Sequence, residues 1–252
     1  MSPYFYFALP AYAVFAFVGG LFALLYTYFR IDKFNVMFID MIKIFIVCAI
    51  GVFVGGKALF IVTQIPELIM NFSIINMINL VVNSGIVFYG GLFGVLFALK
   101  IYSKHSIYEE STVFQMMAPA IPLFHGFGRV GCLFAGCCYG KELEEPFTLF
   151  YTIHIDRVPT QAFEATVEFI LFFVILIVGK KHKDWNLLKL YLISYALFRF
   201  VIEFFRGDEI RGIFAELSTS QWISITIIGY YIIKMIKKKP YDIHEESETV
   251  EA

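Results

Sequence analysis

Three basic side chains, Lys57, Arg129 and Arg199, fall inside long apolar runs of a 252-residue chain. A charge held in hydrocarbon costs about 3 kcal/mol or more unless it faces a partner or a wet cavity, so all three are expected to point inward. Acidic residues at similar positions are Glu164 and Glu168 in one run and Glu203 in the next. Gln161, Glu164 and Glu168 recur at helical spacing, as do Tyr195, Arg199, Glu203 and Arg206, which gives two polar stripes on consecutive helices. Such stripes serve as structural ion pairs as readily as they serve a ligand. Arg129 points toward the ligand, because it lies in Pro122-Leu-Phe-His-Gly-Phe-Gly-Arg-Val-Gly-Cys132, a Gly-rich stretch suited to a close-packed wall or broken helix. Backbone amides at such glycines can approach a phosphate. A second cluster, Phe88-Tyr89-Gly90-Gly91-Leu-Phe-Gly94, has the same character. The chemistry these residues suit is the holding of an anionic head group.

The elements that must position them are membrane helices. Hydrophobic residues make up 59% of the chain, aromatic residues 19% and charged residues 16%, against about 45–50% apolar and about 25% charged in soluble domains. The chain is an integral membrane protein on this composition, and its near-neutral balance offers no basic surface for nucleic acid. A span needs about 20 mostly apolar residues. Seven such runs occur, near residues 9 to 29, 41 to 63, 85 to 103, 113 to 137, 161 to 179, 187 to 205 and 219 to 236. The expected fold is an all-α integral membrane protein with seven transmembrane helices over residues 1–239, followed by an acidic tail at 240–252 that is expected to be disordered. The first run has no Lys or Arg before Arg30, so it lacks the basic start of a cleaved signal peptide and is read as mature.

Alternating the loops puts thirteen positive charges on one side: Arg30, Lys33, Lys43, Lys100, Lys104, Lys180, Lys181, Lys183, Lys189, Lys234, Lys237, Lys238 and Lys239. The other side receives four, Lys141, Arg157, Arg206 and Arg211. The positive-inside rule then places the N-terminus outside and the C-terminus in the cytoplasm, with the two polar stripes toward the outer half of the membrane.

Four blocks in order resemble the prolipoprotein diacylglyceryl transferase family. Gly128-Arg-Val-Gly-Cys-Leu-Phe-Ala-Gly-Cys-Cys-Tyr-Gly140 is similar in spacing to that family's Gly-Arg-x-Gly-Asn-Phe-x-Asn-Gly-Glu-x-x-Gly. Phe88-Tyr-Gly-Gly-Leu-Phe-Gly-Val95 is similar to its Phe-His-Gly-Gly-Leu-x-Gly-Val, and Val158-Pro-Thr-Gln-Ala-Phe-Glu164 to its His-Pro-Ser-Gln-x-Tyr-Glu. Tyr195-Ala-Leu-Phe-Arg-Phe-Val-Ile-Glu-Phe-Phe-Arg206 resembles the family most closely, and Leu9-Pro-Ala-Tyr12 and Gly55-Gly-Lys57 agree more weakly. The resemblance implies a multi-pass enzyme of the bacterial inner membrane that moves the diacylglyceryl group of phosphatidylglycerol onto the cysteine thiol of a membrane-anchored lipoprotein precursor, with glycerol phosphate leaving. It implies catalytic roles for Arg129 and Arg199, whose planar forks suit a phosphodiester, and for Tyr89 by its place in the motif; His125 lies outside the family pattern and is a catalytic candidate on the residues alone. The resemblance implies substrate binding by Tyr12, Lys57, Gly90, Gly91, Gly128, Gly131, Cys132, Gly140, Gln161, Glu164, Tyr195, Glu203 and Arg206.

Several family positions are changed. Tyr89 stands for His, Cys132 and Ala135 for Asn, Cys137 for Glu and Val158 for His. These changes fall on the acceptor half of the reaction, so a non-lipoprotein acceptor, or a lipid-binding or transport protein that lost the reaction, remains open. His125, four residues before Arg129, is either a satisfied structural residue or the replacement base. Cys132, Cys137 and Cys138 with His125 match a zinc site in ligand type but not in the spacing of common zinc modules. They are read as small thiols at a close-packed helix end, with no metal and no cofactor assigned.

Overall fold

The computed structural model describes residues 11–70, 87–149, 153–207 and 213–238, together with Ser73, Ile75 and Ile78. The acidic tail, Arg211 and Lys239 lie outside the described residues, as does the chain before Ala11. Nine α-helices carry the described fold: α1 (Ala11–Tyr28), the short α2 (Ile31–Phe34), α3 (Phe38–Met70), α4 (Phe88–His105), α5 (Glu110–Met117), α6 (Ala120–Ala135), α7 (Thr160–Lys181), α8 (Leu187–Ile202) and α9 (Thr219–Lys238). Among the described residues, three helices are long and apolar enough to cross a membrane, over Ala11–Tyr28, Phe38–Ile65 and Thr160–Lys181. Phe17, Phe22, Phe53 and Phe173 on these helices are exposed, as lipid-facing side chains are.

Two features depart from the all-α expectation. The run near 113 to 137 is broken at Ala118-Pro119 into α5 and α6, because Pro119 has no amide hydrogen to give to the helix ladder. The connection after α6 folds into an antiparallel hairpin, β1 (Glu142–Leu149) with β2 (Ile153–Arg157), and a smaller one joins β3 (Ile213–Phe214) to β4 (Leu217–Ser218). Arg157 pairs with Glu142 across the first hairpin and lays its guanidinium 4.6 Å from the Tyr139 ring.

Helix pairing follows from small residues. α3 packs on α4 through Gly51 and Gly55 facing Gly90 and Gly94, where a Cβ on Gly90 would collide with the Gly55 carbonyl and one on Gly94 with that of Gly51. This close approach is the small-residue contact by which helices associate in lipid. α6 lies between α1 and α7, and α8 lies against α9. One buried cluster gathers around Met41, Ile44, Leu99 and Val113, and a second around Tyr89, Tyr191, Tyr195 and Ile175.

Candidate active site

α6, α7 and α8 each present one polar face to a common interior. On α7 the spacing of Gln161, Glu164 and Glu168 puts all three side chains inside, at 4%, 0% and 0% exposure. Glu164 is the hub. Its Oε2 lies 2.7 Å from Arg129 Nε and its Oε1 2.7 Å from Arg199 Nη1, while Arg206 Nη1 stands 3.8 Å from the same Oε1. Arg199 reaches Glu203 Oε2 with its other arm at 2.6 Å and donates from Nη2 to Ser220 Oγ at 3.4 Å. At this level the guanidiniums of Arg129, Arg199 and Arg206 gather around Glu164 and Glu203, and the carboxyl of Glu168 lies one turn further along α7. A guanidinium has five donors in a fixed fork, so none of the three arginines is used up by Glu164.

His125 lies one helical turn from Arg129 and holds it. The Arg129 Nε–H donates to His125 Nε2 at 3.1 Å, which requires that nitrogen to be unprotonated, and His125 Nδ1 donates to Glu168 Oε1 at 2.7 Å. The ring stacks on Phe88 with centroids 3.4 Å apart. Both nitrogens are therefore engaged, an arrangement in which the ring supports Arg129. Tyr191 Oη also donates to Glu168 Oε1, at 3.5 Å.

Tyr195 sits between these layers, 1% exposed, with its ring 5.3 Å from that of His125 and 5.7 Å from that of Tyr89. Its hydroxyl has no hydrogen-bond partner among the described residues. Tyr89, in the place of the family's His, directs its hydroxyl to Ser224 Oγ on α9 at 2.7 Å. A groove of about 490 Å³ opens beside it, walled by Phe93, Leu192, Trp222, Ile223 and Thr226. Its lining is apolar enough for an acyl chain.

The glycines divide. Gly90 is taken by packing on Gly55 and Gly131 by packing on Tyr12, whose own ring is half exposed, so close helix approach accounts for both. Gly91 makes ordinary contact with Val52, and Gly128 has open space around it. Gly140 is required where the chain after α6 threads between β2 and the end of α8. Its amide bonds to Val158 O at 3.0 Å, Lys141 N to Phe205 O at 2.9 Å and Gly207 N to Tyr139 O at 3.1 Å, and a Cβ on Gly140 would strike the Val158 carbonyl. Lys57 holds its ammonium 5.3 Å from the Phe53 ring on α3.

The loop after α6 carries the cysteines. α6 ends on Gly136 with φ 69°, and Gly136 N bonds to Leu133 O at 3.3 Å while Cys137 N bonds to Cys132 O at 3.2 Å. This is the Schellman arrangement, in which a left-handed residue folds the chain back over the last turn. Gln161 Nε2 donates to Cys137 O at 2.6 Å and Thr160 Oγ1 to Cys138 O at 2.9 Å, so the start of α7 clamps the loop. Hydrogen bonds from the Cys132 and Cys137 thiols, aided by Arg129 and Arg206, hold the Cys138 thiol well below the ordinary thiol range. Sequence reasoning left Ser220, Ser224 and Thr160 out of the site. Ser220 and Ser224 stand four apart on α9, a weak signal, and nothing in the spacing of Thr160 marked it.

A chain that brings these groups together is similar over most of its length to known proteins. The family model described as prolipoprotein diacylglyceryl transferase matches residues 4–237. The phosphatidylglycerol–prolipoprotein diacylglyceryl transferase of Clostridium tetani is 35% identical over 201 residues, covering 75% of this chain and 78% of that one. A second such transferase, from Clostridium perfringens, is 33% identical over 201 residues with 77% of each chain covered. One from Idiomarina loihiensis is 32% identical over 161 residues, covering 62% of this chain and 60% of that one. With nearly the whole chain matched and the matching blocks meeting at Glu164, the protein belongs to the prolipoprotein diacylglyceryl transferase family.

Proposed function

We propose that the chain transfers the diacylglyceryl group of phosphatidylglycerol to the cysteine thiol of a lipoprotein precursor and releases glycerol phosphate. The observation that carries this is the pair Arg129 and Arg199 tied by 2.7 Å contacts to the two oxygens of one buried carboxylate, Glu164. Two forks fixed to one point are preorganised, and the same donors that hold a phosphodiester stabilise the charge that grows on it as it departs. Tyr195 supplies a further donor at the same level, and the groove beside Tyr89 takes an acyl chain. The acceptor thiol gives its proton to solvent, its sulfur forms a bond to the glycerol carbon of the diacylglyceryl group, the carbon–oxygen bond to phosphate breaks, and glycerol phosphate leaves with that electron pair. His125, held between Arg129 and Glu168, keeps the first guanidinium in place.

In this reading the bundle crosses the bacterial inner membrane seven times, with the N-terminus outside, the tail in the cytoplasm and the arginines toward the outer face. The thirteen-to-four distribution of Lys and Arg between the two sides supports that orientation. The activity is tested in proteoliposomes of phosphatidylglycerol with a lipobox peptide, followed by mass spectrometry. A cysteine peptide is expected to gain one diacylglyceryl group as glycerol phosphate appears, and a serine peptide to gain nothing. Glycerol phosphate released with no change in the cysteine peptide would assign the protein a different acceptor. No release under either condition would overturn the transferase reading.

A further inference from the structure

The sulfurs of Cys132, Cys137 and Cys138 all lie within 4.8 Å of one another. Four features make this a built cluster. The Schellman turn at Gly136 stacks Cys137 over Cys132, six positions of chain being folded back by one left-handed residue. Cys138 itself has φ 59°, a conformation that costs a side-chain-bearing residue about 1–2 kcal/mol and turns its chain a second time. The Gln161 and Thr160 side chains fix the carbonyls of Cys137 and Cys138 at 2.6 and 2.9 Å. Cys137 is exposed and the other two are half-buried, so the cluster has an accessible side.

Three thiolates select a soft or borderline metal ion and exclude hard cations such as magnesium. In a tetrahedral zinc site with Zn–S near 2.3 Å, sulfurs stand about 3.8 Å apart, so these need only small side-chain rotations to reach it. A trithiolate zinc centre is anionic, and the surroundings are cationic. Arg129 lies one turn back on the face of α6 that carries Cys132, and Arg206 is bridged through the backbone to Gly140, two residues beyond Cys138. His125, the fourth ligand that residue type alone suggested, is held by Glu168 and Arg129 instead. Three protein ligands with the fourth position open is the pattern of a catalytic rather than a structural zinc site.

We propose that Cys132, Cys137 and Cys138 bind a zinc ion whose fourth position takes the acceptor's cysteine thiol and presents it as thiolate to the lipid held by the arginines. The proposal rests on the transferase reading of the same site and supplies what that reading lacks, a means of activating the acceptor. On coordination the acceptor S–H bond breaks and its proton passes to solvent. A lone pair of the zinc-held sulfur then forms the S–C bond to the glycerol carbon. The C–O bond to the donor phosphate breaks, and glycerol phosphate leaves with that electron pair. Zinc and its three protein thiolates are unchanged, and nothing is oxidised or reduced.

At pH 6.5 about one free thiol in 100 is ionised, given a pKa of about 8.5. A coordinated thiolate is about tenfold less nucleophilic than a free one if it behaves as a thiol with a pKa about two units lower, so the net gain from zinc is about tenfold. The test uses the purified full-length protein in detergent. Elemental analysis is expected to find one zinc per chain in the wild type and none in a Cys137→Ser, Cys138→Ser double variant that melts as the zinc-stripped wild type does. Cobalt(II) exchanged into the site is expected to give thiolate-to-metal charge-transfer and tetrahedral ligand-field bands. A cysteine lipobox peptide should shift these bands, and a serine peptide should not. Chelation should lower transfer about tenfold at pH 6.5, with recovery on adding zinc but not magnesium. Absence of zinc and cobalt binding, a disulfide among the three sulfurs in their place, or bands indifferent to the cysteine peptide would each overturn the proposal, as would transfer unaffected by chelation. Bands that respond to the cysteine peptide in a protein that transfers no lipid would leave the zinc site standing and refute the transferase reading alone.

Discussion

Arg199→Lys is the substitution for which the geometry makes the sharpest forecast. Arg199 spans two carboxylates with separate nitrogens, Nη1 on Glu164 at 2.7 Å and Nη2 on Glu203 at 2.6 Å. An ammonium is a single point and reaches one of them. Lysine keeps the charge, so stability falls by less than the about 3–5 kcal/mol of a buried pair stripped of one partner. The loss falls on the transition state. One charge-assisted donor removed from the developing phosphate is worth about 2.7–4 kcal/mol, or about 10²–10³ in kcat. The assay is initial rate against phosphatidylglycerol content in proteoliposomes at saturating peptide, with kcat and KM resolved separately and melting in detergent run alongside. A large fall in kcat with little movement in KM is expected, because the contact strengthens as charge develops. A folded Arg199→Lys protein that turns over near the wild-type rate would refute the reasoning, and a loss confined to KM would reduce Arg199 to ground-state binding.

Glu164→Gln leaves three guanidiniums around a neutral amide, and a destabilisation of about 3–5 kcal/mol is expected in chemical denaturation, together with loss of transfer; an unchanged stability would show that Glu164 is not the hub. His125→Gln is expected to lower activity by a constant factor across pH 6 to 8, since the ring positions Arg129 and takes no proton, whereas a loss that recovers at high pH would restore it as the base. Gly94→Ala, with its Cβ driven against the Gly51 carbonyl, is expected to separate α3 from α4 and cost about 1–3 kcal/mol by thermal unfolding, and an unchanged melt would argue against that packing. Single cysteines placed at 182–185, in a background lacking the native ones, are expected to label only from the cytoplasmic side, and labelling from outside would invert the proposed topology.

The helices were legible because a span needs a long apolar run, and the runs from 161, 187 and 219 reappear as α7, α8 and α9 within a few residues. The two polar stripes were legible for the same reason, since a charge inside such a run has to face inward. What the stripes do not encode is pairing. Periodicity places Glu164, Arg129 and Arg199 on interior faces, but that one carboxylate serves both arginines depends on the rotation and offset of three helices. The glycines show a second limit. Gly90 and Gly131 have the composition of a phosphate-binding turn, and their partners, Gly55 and Tyr12, turn them into packing contacts. The hairpin of β1 and β2 was hidden because eight residues containing Pro146 and three glutamates have no clear alternation. The cysteine cluster was hidden because it crosses a helix end, where neither helical nor zinc-module spacing applies and only the turn at Gly136 brings the sulfurs together.

The central claim is that Arg129 and Arg199 hold one donor phosphate, and an experimental structure of the protein with phosphatidylglycerol bound tests it most directly. The phosphate oxygens should stand at charge-assisted hydrogen-bonding distance, about 2.7–2.9 Å, from both guanidiniums, with the Tyr195 hydroxyl turned toward the same group. A head group held by one arginine alone, or seated away from Glu164 altogether, would contradict it.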